Sequence, residues 1–291
     1  MVTLAAIRTN RWDDDVRRMI ACLEPVFGHN LSIIYHNRDF DIQPDVPVID
    51  INDAWVAGHG LRVVPDWGWR CGDYFHYAHR LARPDGQFYW LFEPDVFFHG
   101  DATDFFSLVS ADFSDAIGAW YGPPQTKHMF LAGVTDKPQM HAVFPVTRLS
   151  GLALDWLFTE RTAYSASRIK DHVFTNDEMF VFSWIASHPE FTVRALNEIV
   201  PEWFVGTHFQ TNPDIVLNAV LASTGKGLFH PVRAAESFGR EVGRKIVSTQ
   251  RFRKILEPSL GHLGDEDATR IAASIEIELK AMFRSAMDKA R

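Results

Sequence analysis

The chain has 291 residues, 46% hydrophobic and 13% aromatic, with 23 Phe and 9 Trp, which is too apolar for disorder. It is long enough to bury a core without disulfide or metal staples, as one large domain or a domain with an appendage. Its 29 Lys and Arg against 37 Asp and Glu leave a formal charge of −8, which argues against a globally basic nucleic-acid binder.

Cys22 and Cys71 stand far apart with no C-x-x-C spacing, so neither a disulfide scaffold nor a cysteine zinc site is expected. The opening apolar run is broken by Arg8 and is too short for a signal-peptide core. No stretch of about 18 uncharged apolar residues occurs. The expectation is a soluble cytoplasmic protein.

Residues 4–7 form an apolar run closed by Thr9-Asn10, which predicts a buried strand. Residues 13–27 carry Val16, Met19, Ile20, Leu23 and Val26 or Phe27 at helical spacing, behind three acids that suit a helix N-terminus. Residues 31–35 and 46–51 read as further strands, and this succession predicts an α/β fold with a parallel sheet. After the Trp-rich residues 66–69 come a helix over 72–81, a turn at 83–86 and the aromatic run Phe88–Phe92, a strand covered on both faces. Residues 101–235 are less regular, with a strand over 116–121, helices over 150–158 and 178–187, and an aromatic loop over 201–209.

From residue 236 aromatics become scarce. Over residues 240–256, Val242, Ile246, Phe252 and Leu256 fall on one side of a helical wheel, with Arg240, Arg244, Arg251 and Lys254 largely opposite. Pro258 and residues 261–264 break this segment, and residues 267–290 predict a second amphipathic helix led by Ile271, Ile275, Leu279 and Met282. The division expected is 1–235 and a helical appendage, 236–291.

The strongest chemical feature is Glu93-x-Asp95, where the aromatic strand ends. In open α/β sheets ligands sit outside the carboxyl ends of the strands. Two carboxylates at a bend made by Pro94 can reach one hard divalent cation. The plainer alternative is a loop pair that salt-bridges or caps a helix. Thr175-Asn176-Asp177-Glu178 places paired acids before an apolar helix, as a helix dipole alone would favour. Trp67, Trp69, Trp203 and Phe204 lie in polar, Gly-containing stretches, where aromatic faces can stack on a sugar or base; core packing is the alternative for each.

Trp90-Leu91-Phe92-Glu93-Pro94-Asp95-Val96-Phe97-Phe98 resembles the acidic motif of GT-A-fold glycosyltransferases, usually D-x-D and here E-x-D. The resemblance covers roughly residues 1–235 in order of elements. It implies a GT-A-like, Rossmann-related sheet with flanking helices, and Mn²⁺ or Mg²⁺ held by Asp95 with Glu93 and His230. His208 competes for the histidine position. It implies contact with a nucleoside-diphosphate-sugar through Arg8, Thr9 and Asn10 at the end of the first strand, and through Arg70 and Asp73 at a helix start, where Asp73 reads equally well as an N-cap. Lys226 and Arg233 would serve the diphosphate. Asp177, or Glu178 after it, would be the base of an inverting transfer to a hydroxyl acceptor.

The acceptor expected from this resemblance is a glycan or lipid-linked hydroxyl of the bacterial surface-glycan type. The basic face of 240–256 would suit peripheral contact with the inner face of the membrane, and the last helix would dock on its own chain or form a homodimer. No nucleic-acid partner is expected. Two other classes use the same residues: a metal-dependent phosphoester hydrolase, and a non-catalytic carbohydrate-binding or scaffold protein.

Overall fold

The computed structural model describes residues 2–41, 44–124, 130–167, 170–206, 208–248 and 262–290. Its elements in chain order are β1 (Thr3–Thr9), α1 (Asp14–Phe27), β2 (Leu31–His36), β3 (Val48–Ile51), α2 (Asp53–Gly58), α3 (Trp67–Arg70), α4 (Gly72–Ala82), β4 (Phe88–Phe92) and β5 (Phe97–His99). There follow α5 (Ala102–Val109), β6 (Ala116–Gly122), β7 (His141–Ser150), α6 (Gly151–Ser165), α7 (Asp177–Ser187), β8 (Val193–Ala195) and α8 (Leu196–Ile199). The remainder holds β9 (Ile215–Val216), α9 (Leu217–Leu221), β10 (Gly227–Phe229), β11 (Val232–Arg233), α10 (Ala235–Ser248) and α11 (Asp265–Ala290).

These elements make two compact units, one drawn from residues up to 12, 20–94 and 102–201, the other from 13–19, 95–101 and 202 onward. The units do not part at residue 235. Val216 packs with Phe238, Val242 and Ile271, so residues well before 235 share a core with the C-terminal helices. Fully buried Asp15 reinforces this, accepting from the Ala234 N–H at 2.8 Å and from the Ser237 hydroxyl.

The first unit is a seven-stranded sheet in the order β3-β2-β1-β4-β7-β6-β8, in which only β7 runs against the rest. The α/β class expected from the alternation of strands and helices is the one observed. All five residues of β4 are buried, as a continuous apolar run between β1 and β7 requires. Trp90 and Phe92 meet Phe106 edge-on at 5.6 and 5.9 Å, and Phe27 closes the cluster at 4.9 Å from Phe106. The opposite face packs against α4, where His79 lies edge-on to Tyr89 at 5.2 Å. α7 is apolar on every side and buried from Met179 to Ile185, so it lacks the amphipathic stripe of a surface helix.

β7 and α5 escape the sequence reading. β7 holds Pro145 in its interior, and a proline has no N–H for a ladder, so the run reads as broken. The structure puts Pro145 at a register irregularity, where its carbonyl accepts the N–H of Glu93 at 2.9 Å. Across β6 the register shifts again between Ala119 and Gly122, and Trp120 there takes φ +57. That left-handed region costs a bulky L-residue about 1–2 kcal/mol.

In the second unit β5 pairs antiparallel with β10, and β9 parallel with β11. α10 and α11 pack side by side with their chains running in the same direction, and their close approach depends on Gly239 and Gly243. A Cβ on Gly239 would stand 2.7 Å from the Ile271 carbonyl oxygen and 2.9 Å from its Cα. Docking of the last helix on its own chain is thus observed. Of the basic segment expected over 240–256, residues 249–256, with Arg251, Phe252, Lys254 and Leu256, lie outside the described residues, as do Pro258 and Gly261. Within α10, Val242 is buried as expected, while Arg240 and Arg244 are matched by Asp13 at 3.5 Å and Glu241 at 2.8 Å. No described helix is long and apolar enough to cross a membrane.

Gly239→Ala is expected to lower unfolding stability by about 1–3 kcal/mol. The added methyl meets main chain that cannot swing aside, which outweighs the gain in helix propensity of about 1 kcal/mol. Gly264→Ala, with nothing within 4 Å, should stay within about 0.5 kcal/mol in the same urea titration.

Candidate functional site

The register of the sheet builds the first constellation. Ile7 pairs with Phe92, so one step further Arg8 and Glu93 leave adjacent parallel strands side by side. The Arg8 guanidinium, only 7% exposed, binds the Glu93 carboxylate through Nη2 and lies 3.4 Å from Asp177 Oδ2 through Nη1. It also rests over the rings of Phe75 and Phe144, at 5.6 and 5.7 Å. Arg8 is therefore engaged with carboxylates rather than open to a phosphate. Of its neighbours, Thr9 is buried and accepts the Arg11 N–H at 3.2 Å, while Asn10 is exposed.

Asp177 opens α7 behind the N-cap Asn176, whose side chain accepts the Met179 N–H at 3.3 Å. Asp177 itself accepts from main chain, the Gly72 N–H at 2.8 Å and the Glu178 N–H at 2.8 Å. Gly72 has to be glycine, because a Cβ there would stand 2.1 Å from Arg8 Nη1 and 2.5 Å from Asp177 Oδ2. Burial pushes the Asp177 carboxyl up to about 8 against the pull of Arg8, and the Glu178 charge adds to the rise. A buried acid with its proton loosely held near neutral pH has the property a general base needs. Glu178 is half-buried beside it and accepts from Asn176 at 3.3 Å.

Asp73 and Arg70, at the start of α4, have other partners than a donor. Asp73 is fully buried and pairs with equally buried Arg161 at 2.9 Å, with the Tyr77 hydroxyl donating at 3.1 Å. It neither faces a sugar hydroxyl nor caps α4, whose N-cap is Cys71. Burial raises its pKa, while Arg161 and the Tyr77 hydroxyl oppose that rise. Arg161 also donates to the Thr175 carbonyl at 3.0 Å, just before α7, and lies over the Phe180 ring at 4.2 Å. Arg70 donates to the carbonyls of Asp171 and Phe174 at 2.9 and 2.6 Å, over the Phe130 ring. Both are structural ties that fix the loop before α7.

The second constellation lies in the other unit. Asp95 follows the turn at Pro94 and is 5% exposed. Its Oδ1 lies 3.5 Å from His230 Nε2 and its Oδ2 accepts from Arg233 Nη2 at 2.8 Å. Arg233 Nε donates to fully buried Asp214 at 2.7 Å. Burial would lower the Arg233 pKa, but Asp95 and Asp214 more than reverse that. His230 Nδ1 lies 2.7 Å from the Gln210 carbonyl oxygen, so Nδ1 carries a hydrogen and Nε2 is the nitrogen turned toward Asp95. A carboxylate oxygen and an imidazole nitrogen at this spacing, with the other ring nitrogen held by a carbonyl, suit a divalent cation. Glu93, the other carboxylate expected to hold the cation, gives one of its two oxygens to Arg8.

The other candidates lie apart from this pair. His208 is exposed, its ring 4.7 Å from that of Phe229, which leaves His230 as the histidine beside Asp95. Exposed Lys226 rests its ammonium 5.4 Å from the centre of the Trp203 ring. Trp203 and Trp67 are core residues, whereas Trp69 is 65% exposed. Arg161 and Asp214 were missed in the sequence. Arg161 was findable, because it continues the buried stripe Leu154, Leu157, Tyr164 of α6, where a charge needs a buried partner. Asp214, after Asn212-Pro213, reads as an ordinary turn acid.

Asp73→Asn should cost about 3–5 kcal/mol in chemical denaturation by leaving Arg161 buried without its counter-charge. Joint replacement by Asp73→Leu and Arg161→Met should recover most of that loss. A second expectation concerns pH. Between the ordinary carboxyl value of 3.8 and about 8, folded Asp177 holds a proton that the unfolded chain releases. Stability conferred by that proton is present at low pH and falls as pH rises through this window. Unfolding free energies of Asp177→Asn across the window should lack that decline.

No protein-family model matches the chain, and no curated protein matches it. Among solved structures it is similar to a protein described as a glucose-1-phosphate thymidylyltransferase from Bacillus anthracis, at 8% identity and TM-score 0.39, over 67% of this chain and 87% of that one. It is also similar to a mannose-1-phosphate geranyltransferase from Thermus thermophilus, at 8% identity and TM-score 0.35, over 75% and 83% of the two chains. A 4-diphosphocytidyl-2C-methyl-D-erythritol synthase from Anaerococcus prevotii shows 9% identity and TM-score 0.39, over 67% and 87%. Likenesses this remote carry no argument about activity.

Proposed function

We propose that the chain is a metal-dependent glycosyltransferase that moves a sugar from a nucleoside-diphosphate-sugar to a hydroxyl acceptor, a glycan or lipid-linked sugar, with inversion. The observation that carries this reading is the Asp95–His230 pair, whose imidazole is oriented by Gln210 so that Nε2 and Oδ1 face each other at 3.5 Å. Oxygen and imidazole donors of this kind suit Mn²⁺ or Mg²⁺. A cation bound there would neutralise the charge that develops on the leaving diphosphate.

The chain's own residues do the rest. Arg233 holds Asp95 in place and keeps its own geometry through Asp214. Asp177 takes the proton of the attacking hydroxyl, and the N–H groups of Gly72 and Glu178 orient its carboxylate. Arg8 steadies the resulting charge distribution by bridging Asp177 and Glu93.

Calorimetric titration with UDP, GDP and CDP, each with and without Mn²⁺, tests the reading. One nucleotide should bind with Mn²⁺ present, and His230→Ala should weaken that binding by about tenfold or more. Asp95→Asn should do the same while keeping a partner for Arg233. If no nucleotide binds under either condition, the reading fails, and hydrolysis of phosphoesters or sugar binding without catalysis takes its place.

A further inference from the structure

α4 carries two histidines into the core of the first unit. His76 and His79 stand three residues apart, on one face of the helix, and both are fully buried. His76 Nε2 lies 2.9 Å from the Thr147 hydroxyl of β7, and its ring is edge-on to Phe144 at 6.0 Å. Its Nδ1 has no hydrogen-bond partner among the described residues. His79 has none on either ring nitrogen. Its neighbour Tyr89 offers a ring and not an acceptor, because the Tyr89 hydroxyl is engaged by Arg80 and by the Arg83 carbonyl.

Buried polar groups are ordinarily paired, so three ring nitrogens without partners on one helix face need a reason. A neutral imidazole tolerates such a place at a cost, whereas an imidazolium would bury a charge and an unmatched N–H together. The surrounding charges do not help. Arg8 of β1 bears on His76, as does His79, and Arg83 bears on His79. Asp85 acts the other way on His79, but it is exposed and bonded to Arg83. Asp73, at the start of α4, is paired with Arg161, and Asp177, at the start of α7, lies against Arg8.

Burial is accordingly the first cause of a fall in both pKa values, His79 to about 3 and His76 well below the ordinary 6.5. The unfolded chain takes up these two protons near 6.5, and the folded chain does not. The stability that the neutral pair allows is complete above 6.5 and is lost as pH falls through the window toward 3. The same helix begins at Gly72, whose N–H donates to Asp177, and at Asp73, whose carboxylate holds Arg161.

We propose that His76 and His79 form an acid release for α4: when both take up protons the helix leaves the sheet, and the Gly72 N–H leaves Asp177 with it. This goes beyond the glycosyl-transfer reading and does not depend on it. The site around Asp177 is thereby confined to neutral surroundings by a pair of residues that touch neither Asp177 nor Arg8, and that sit on the helix whose first turn builds its wall.

Urea unfolding of the protein alone, at pH 6 and pH 5, tests the release, with His79→Leu, His76→Gln and the double variant beside the unaltered chain. Gln keeps an amide within reach of Thr147. Asp177 titrates in the opposite sense over part of this range, so the histidines are read from the difference between variant and parent. Between pH 6 and 5 the parent's unfolding constant should rise about fiftyfold more than that of the double variant, and about eightfold more than that of either single variant. Hydrogen exchange, corrected for its intrinsic pH dependence, should show the amides of α4 losing protection over the same interval in the parent and keeping it in the double variant. Should the double variant not fold, NMR of the imidazole C–H signals decides: those missing from each single variant belong to His76 and His79, and in the folded parent they should not move between pH 7 and 5. Equal pH dependence in parent and variants, a His76 or His79 signal that titrates near 6.5 in the folded protein, or an α4 that stays protected at pH 5 overturns the proposal.

Discussion

A charge taken out of water has to keep a counter-charge, and much of this structure follows from where three arginines meet that requirement. Arg8 leaves β1 between Glu93 and Asp177, Arg161 lies in α6 against Asp73, and Arg233 sits between Asp95 and Asp214. In every case the partners are distant in sequence, so each ion pair fixes the relative placement of segments that hydrophobic packing alone would leave free to slide. Arg161 shows this best, because the same guanidinium that neutralises Asp73 also holds the Thr175 carbonyl and thereby sets where α7 begins.

The arrangement around Asp177 works against stability and raises its proton affinity at once. Its carboxylate is buried among main-chain donors, next to Glu178 and with Arg8 as its cationic contact at 3.4 Å, longer than a tight ion pair. A closer arginine would lower the pKa and make the acid a poorer proton acceptor; a more distant one would leave it protonated throughout. The intermediate spacing is enforced by the sheet register, which gives Arg8 a first claim on Glu93. A strand-pairing constraint is in this way translated into an acid–base property.

What could be read in the sequence was what periodicity encodes. β4 declares itself by five consecutive apolar residues, α1 by spacing and leading acids, and Asp95 by its position after a buried strand. β7 stayed hidden because Pro145 interrupts its pattern, and its role as acceptor for the Glu93 N–H depends on a register irregularity that no local rule describes. The candidate residues divided for a similar reason. Asp95 and His230 come together through a loop closure over more than a hundred residues, while Asp73, judged by its helix-start position, was claimed by an arginine whose burial only the packed structure shows. Trp120 could not be singled out at all, since a positive φ at a tryptophan leaves no trace in composition.

Gly72 carries a consequence for how this protein can vary. Its bare Cα lets the start of α4 press main chain directly onto Arg8 and Asp177, with Phe144 2.8 Å from where a Cβ would be. The wall of the constellation is there made of backbone, and backbone offers no side chain to exchange. Variation is left to positions such as 69 and 120, whose side chains reach solvent, while the acid and its arginine keep a neighbour that substitution cannot reshape.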